Sequence, residues 1–220
     1  MPAPFVQSVQ VGLPRFHGVA GAADPLDRPW ATGFFKEPVA GPVGVTMTNL
    51  AGDGQADLAN HGGPDKAVLA YCADHFDAWA AELGRPGLPP GAFGENLTVA
   101  GLTETGVCVG DVWRCGTAAF EVSQPRQPCW KLARRWRIKD LPARVVKSGR
   151  CGWYLRVLGE GTLEAGDAYE LAARPNPDWT VRRAHEVMYF AKADAAESLA
   201  LAAVPGLSIS WREELRGRAG

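Results

Sequence analysis

Glycine and proline break this chain at close intervals, 26 and 17 of them in 220 residues, about 20% where roughly 12% is usual. Between the breaks lie mostly short apolar runs, so a turn-rich, mostly β architecture with some helices is expected rather than a helix bundle. Val6 to Val11, Val43 to Thr48, Asp65 to Tyr71, Leu97 to Val99, Val107 to Val109, Val112 to Cys115, Ala118 to Ser123, Trp153 to Leu158 and Tyr169 to Leu171 read as strands, several at barrel-like spacing. Helices are expected over Phe76 to Leu83, over about 128 to 138 with Pro128 at the first position, and over Pro142 to Lys147. Beyond Arg174-Pro-Asn-Pro-Asp178, which reads as a linker, the pattern changes. Thr180 can cap a helix to Phe190, and Asp194 with Glu197 and Ser210 with Glu213 have capping-box spacing. The expected organisation is a β-barrel domain over residues 1–174 and a three-helix extension over 175–220.

A chain of this length buries a core without disulfides or structural metals. Apolar residues at 46% and charged residues at 21% argue against disorder. No run approaches the ~20 apolar residues of a bilayer span, and Met1-Pro-Ala-Pro-Phe5 lacks the features of a signal peptide. A cytoplasmic protein with no membrane partner is therefore expected.

The net charge of −1 excludes a wholly basic nucleic-acid binder, but the charge is unevenly placed. Residues 126–150 hold nine basic side chains against one acidic, a net +8, which leaves −9 for the rest. Such a segment is either a solvated face or a focused anion site. It is too short, and lacks the patterns, for a nucleic-acid module.

Five cysteines, an odd number with no Cys-x-x-Cys, point to a reducing compartment rather than a disulfide framework. Cys72, Cys108, Cys115 and Cys151 sit in apolar surroundings and read as buried small hydrophobes. Cys129 differs, because it lies inside the basic segment at an expected helix start, where the helix dipole, Arg126 and Lys131 favour the thiolate.

Three further clusters stand out. In Asn60-His-Gly-Gly-Pro-Asp-Lys-Ala67, Gly62 and Gly63 allow close backbone approach while His61, Asp65 and Lys66 supply polar heads. Glu95 and Asn96 follow Gly91-Ala-Phe-Gly94, and Arg150 lies in Ser148-Gly-Arg-Cys-Gly-Trp-Tyr154. Each also has a plain structural reading as a turn. A Cys129/His61 nucleophile–base pair, and with it a metal-free transferase or hydrolase, stays open. No histidine pair has zinc-ligand spacing.

Taken in order, His61-Gly-Gly-Pro-Asp-Lys-Ala-Val68, Gly94-Glu-Asn-Leu-Thr98, Gly110-Asp111, Gln124-Pro-Arg-Gln-Pro-Cys129 and Gly152-Trp-Tyr154 resemble the MOSC domains, the molybdenum-cofactor sulfurase C-terminal domains. With its helical tail the chain is similar to small stand-alone members of the YiiM type. The resemblance implies a distorted β-barrel like that of pyruvate kinase, followed by three helices. It implies molybdenum ligated by Cys129 and carried on molybdopterin, an anionic cofactor with a dithiolene and a phosphate. It also implies a small-molecule substrate, an N-hydroxylated compound such as a purine, reduced to the amine.

For the proton, His61, Asp65 and Glu95 are the candidates. For cofactor contacts they are Gly62, Gly63, Lys66, Asn96, Gln124, Arg126, Arg150 and Trp153. No iron–sulfur, flavin or nicotinamide signature occurs, so a separate reductase is expected to supply electrons. A non-catalytic carrier of the cofactor or its sulfur shares every one of these features. A homodimer is expected on frequency alone.

Overall fold

The structure, a computed structural model, describes residues 3–219. Met1 and Pro2, part of the start read as lacking a signal peptide, and Gly220 lie outside the described residues. In chain order, β1 (Phe5–Val11) is followed by the hairpin of β2 (Arg15–His17) and β3 (Trp30–Thr32), then β4 (Glu37–Pro38), β5 (Val43–Thr46) and β6 (Asn49–Leu50). One helical turn, α1 (Leu58–His61), precedes β7 (Val68–Cys72), and α2 (Phe76–Leu83) precedes β8 (Leu97–Ala100). Next come β9 (Val112–Cys115), β10 (Ala118–Pro125), α3 (Lys131–Trp136) and α4 (Leu141–Ser148). The strands β11 (Trp153–Gly159), β12 (Gly161–Leu163) and β13 (Tyr169–Ala173) lead to α5 (Val181–Tyr189), α6 (Ala195–Ala202) and α7 (Ile209–Ala219).

Eight strands form one sheet in the order β13-β9-β10-β11-β7-β8-β1-β4. Its neighbours are antiparallel except β7 and β8, whose parallel pairing is allowed by the α2 crossover between them. The sheet curls until its ends approach. The N–H of Val6 donates to the Asp167 carbonyl at 2.9 Å and that of Tyr169 to Pro4 at 3.0 Å. Among the described residues the two ends meet through such bonds and one isolated bridge, Phe5 with Ala168, rather than a strand ladder, so the barrel is distorted and incompletely closed. Alternation on β11 turns Trp153, Leu155 and Val157 inward and leaves Tyr154 and Arg156 half-buried. β7 is buried along its whole length, the continuous apolar pattern of a strand covered on both faces. Tyr71, Trp79, Phe93, Phe120 and Leu132 join the same core.

Four local expectations change. Val107 to Val109 is not a strand, because the Asp111 carboxylate accepts the Cys108 N–H at 2.8 Å and turns the backbone there. The helix expected over 128–138 shortens to α3, with Pro128 and Cys129 ahead of it and Arg137 left-handed at φ 56° behind it. Ser208 rather than Ser210 caps α7, its Oγ accepting the Trp211 N–H at 3.3 Å. The stretch 174–178 is not a free linker: Arg174 pairs with the buried Asp111, and Asn176 Nδ2 donates to the Val109 and Pro205 carbonyls, each at 2.9 Å.

The last three helices gather round a second core that includes Val109, Ala184, Leu201, Trp211 and Leu215. Among the described residues no helix is long and apolar enough to cross a membrane.

Candidate functional site

Strand register puts Gln124, Tyr154 and Leu69 on one rung across β10, β11 and β7. Past Pro125 the chain leaves the sheet, held by the Arg126 N–H donating to the Gly152 carbonyl at 3.0 Å, and reaches Cys129 before α3. Two hollows meet here and share His61, Lys66, Cys129 and Tyr154. The inner one is also lined by Lys36, Phe93, Asn96, Arg126 and Lys131. The outer one adds Asp57, Asn60, Gln124, Gln127, Pro128 and Trp130.

Cys129 is half-buried, whereas the other four cysteines are buried. Burial pushes the thiols of Cys72 and Cys115 up to about 12, so they stay protonated. Because α3 is only six residues long and starts two residues later, the charge beside Cys129 comes from side chains rather than from a helix terminus.

Arg126 is 3% exposed and donates through Nη2 to the Phe93 carbonyl at 3.1 Å, while Nη1 is buried without a partner. Among the described residues neither Arg126 nor Lys131, which is 7% exposed, makes an ion pair. A buried cation without a counter-charge is costly, and an anion in the hollow would offset that cost. Lys36 differs: burial pushes it down, but it pairs with Asp53, whose other oxygen accepts from Asn96 Nδ2 at 2.9 Å. Burial, followed by the charge of Lys131 and those of Lys66 and Arg126, pushes the His61 imidazole down to about 4 against the pull of Asp57. His61 is therefore neutral near pH 7.

The hollows bring together Cys129, His61, Lys66, Asn96, Gln124 and Arg126 of the residues singled out from sequence. The rest lie elsewhere. Gly62 and Gly63 shape the loop without lining it: Gly63 has φ 88°, and a Cβ on Gly62 would meet the Leu58 carbonyl oxygen at 2.7 Å. Asp65 turns away, accepting from Arg156 Nε at 2.9 Å and from the Ile209 N–H at 2.9 Å. Glu95 is wholly buried, accepting from the Gly91 and Phe93 N–H groups at 2.5 and 3.0 Å and from the Thr98 hydroxyl at 3.1 Å. Neither carboxylate is placed as a proton donor to the hollows, because each is spent on holding backbone. Arg150 pairs with Glu82 and lies 3.7 Å from the Trp79 ring centroid, outside both hollows, and Trp153 is a core residue.

The basic segment divides in the same way. Only Arg126 and Lys131 of its nine cations line the hollows. Arg137 pairs with Asp24 and Asp27, and Arg144 with Asp140. Lys36, Tyr154, Gln127 and Trp130 were not singled out as site residues. For Trp130 and Gln127 the signal was adjacency to Cys129. For Tyr154 it was membership of the Gly152-Trp-Tyr154 motif, and for Lys36 no local signal existed.

The MOSC domain model matches residues 57–170, and that of the YiiM-like 3-alpha helix domain matches 179–218. The uncharacterized protein YflK of Bacillus subtilis (strain 168) is 46% identical over 181 residues, covering 82% of this chain and 81% of that protein. A protein named Reductase from Gibberella moniliformis (strain M3125 / FGSC 7600) is 38% identical over 159 residues, covering 70% of this chain but 28% of its own length. The crystal structure of YiiM from Geobacillus stearothermophilus superposes with a TM-score of 0.82 at 37% identity, covering 99% of this chain and 100% of that one. On these matches, and on a barrel with three C-terminal helices, the chain belongs to the MOSC-domain family, in its YiiM-like branch.

Proposed function

We propose that this chain holds a molybdenum cofactor and reduces N-hydroxylated compounds to amines, with electrons from a separate reductase. The observation that carries this reading is a half-buried thiol, Cys129, lining the same hollow as Arg126, a buried guanidinium with an unpartnered Nη1. MOSC domains are associated with molybdenum-cofactor binding, and one relative carries the name Reductase. No cluster of three or more His, Cys, Asp or Glu side chains able to hold a metal ion occurs among the described residues. One thiol within a ring of cations fits a metal that arrives with its own sulfur ligands on an anionic carrier.

Cys129 Sγ would ligate the metal, and Arg126 Nη1 and Lys131 would meet the anionic oxygens of the cofactor. The cofactor, when bound, supplies a metal centre that passes electrons in pairs. His61, neutral near pH 7, offers a ring nitrogen to the substrate's N–O group. An anion in the inner hollow would oppose the repulsion from Lys131, Lys66 and Arg126 and draw a proton onto the imidazole. Each N–O bond cleaved consumes two electrons and two protons and releases the amine and water.

The test is to purify the chain and its Cys129→Ser variant from a host that makes the cofactor. Bound molybdenum and amine formation from an N-hydroxylated purine with a reduced donor are then measured. Metal and turnover in the wild type and neither in the variant support the reading. Equal metal in both, or none in either, overturns it. Cys129-dependent metal without turnover, under donors that reduce the metal, replaces the reductase with a non-catalytic carrier.

A further inference from the structure

The two hollows differ in chemistry. Apart from the four residues they share, the inner one carries Lys36, Arg126 and Lys131. The outer one carries no Lys or Arg of its own. It holds the amides Asn60, Gln124 and Gln127, the indole of Trp130 and one carboxylate, Asp57. An anion moved into the outer hollow would lose water without gaining a cation beyond the shared Lys66 and would face Asp57.

We propose that the outer hollow is the substrate subsite, in which Gln124 and Trp130 determine specificity for a flat, uncharged ring bearing an N–H or O–H donor. This rests on the reductase reading of the site. Gln124 is wholly buried; its Nε2 donates to the Pro125 carbonyl at 3.3 Å, and its Oε1 is buried without a partner. Buried acceptors are nearly always satisfied, so this oxygen calls for a donor from a ligand.

Trp130 stands at the rim of the same hollow, 52% exposed yet held in place. The Arg134 guanidinium lies 4.8 Å from its ring centroid, and Trp30 lies 5.2 Å away, centroid to centroid, at a 56° tilt. Arg134 is itself anchored by donating to the Arg28 and Pro25 carbonyls at 2.9 and 2.8 Å. An immobilised, exposed indole beside a thiol is a stacking platform for a planar ring.

The experiment compares an N-hydroxylated purine with acetamidoxime, which has the N–O group and N–H donors but no aromatic ring. Binding to the full chain is measured by calorimetry, with molybdenum content recorded for each preparation. Trp130→Ala is expected to weaken purine binding roughly tenfold, about the effect of one base–aromatic stack, and to leave acetamidoxime unchanged. Trp130→Phe restores most of the purine affinity. Gln124→Met, which keeps the side-chain length but removes the acceptor, weakens both ligands. Both sets of variants keep the wild-type molybdenum content.

Unchanged purine affinity in Trp130→Ala, an equal loss for acetamidoxime, or no purine binding by the wild type overturns the subsite. So does loss of molybdenum in Gln124→Met with Trp130→Ala unaffected, which would place Gln124 on the cofactor. Trp130-dependent purine binding by a chain that holds no molybdenum keeps the subsite and overturns the reductase reading instead.

Discussion

The Asp65 carboxylate accepts the Ile209 N–H at 2.9 Å, tying the loop that carries His61 and Lys66 to the first turn of the last helix. Its other oxygen pairs with Arg156, which also pairs with Glu121. Asp65→Ala removes a helix cap and leaves a half-buried guanidinium short of one counter-charge, and is expected to lower unfolding stability by about 2 kcal/mol. Asp65→Asn, which keeps an acceptor for the cap, should lose roughly half of that. Urea denaturation followed by tryptophan fluorescence reads both, and an unchanged midpoint in Asp65→Ala contradicts the assignment.

His61 gives a pH signature. Its folded value, about 4, lies below the value near 6.5 of the unfolded chain. Between these limits the unfolded state binds the extra proton, so stability falls as pH drops from about 6.5 to about 4 and is unaffected by this group above that window. Glu104, held low despite burial by the hydrogen bond and charge of His75, contributes stability that is lost only as pH falls through its folded value. Comparing wild type with His61→Gln isolates the first effect. The variant should show a shallower loss of urea midpoint between pH 7 and pH 4.5, and parallel curves would count against the depressed value.

Arg126→Met tests the unpaired cation. Removing a buried charge that has no counter-charge should leave the cofactor-free protein as stable as wild type or more so. Inorganic phosphate should raise the melting temperature of the wild type, since a ligand present at 100 times its Kd adds about 2.7 kcal/mol, and should leave the variant unmoved. Equal phosphate stabilisation of both proteins would remove Arg126 from the anion site.

The Gly62-Gly63 pair separates two costs. A Cβ on Gly63 meets nothing within 4 Å, so Gly63→Ala is charged only for φ 88°, about 1–2 kcal/mol. On Gly62 the Cβ would lie 2.7 Å from the Leu58 carbonyl oxygen and 3.0 Å from its Cα, so backbone must move. Gly62→Ala should therefore lower the melting temperature more than Gly63→Ala, and the reverse order would show that the loop is not held as described.

Several elements were legible because their signals are local. Gly84 ends α2 where expected, in the left-handed conformation, and Thr180 and Asp194 cap α5 and α6 by accepting the Arg183 and Glu197 N–H groups. Short apolar runs between turn residues marked β10 and β11. Where a neighbouring side chain takes over a backbone N–H, the pattern alone misplaced the element: Asp111 turns the chain at Cys108, and Ser208 takes the cap that the spacing assigned to Ser210.

The sequence by itself determined the strand-and-turn pattern, the three terminal helices and the one cysteine placed among cations, because periodicity, capping and charge adjacency act over a few residues. Which charges face the hollows was decided only by the tertiary structure. Arg137 pairs with Asp27 from 110 residues away, Lys36 lines the same hollow as Arg126, and Glu95 is consumed by its own turn. A segment of net +8 thus narrows to Arg126 and Lys131 at the site, because the tertiary fold places its other seven cations outside both hollows, a placement that no local spacing encodes.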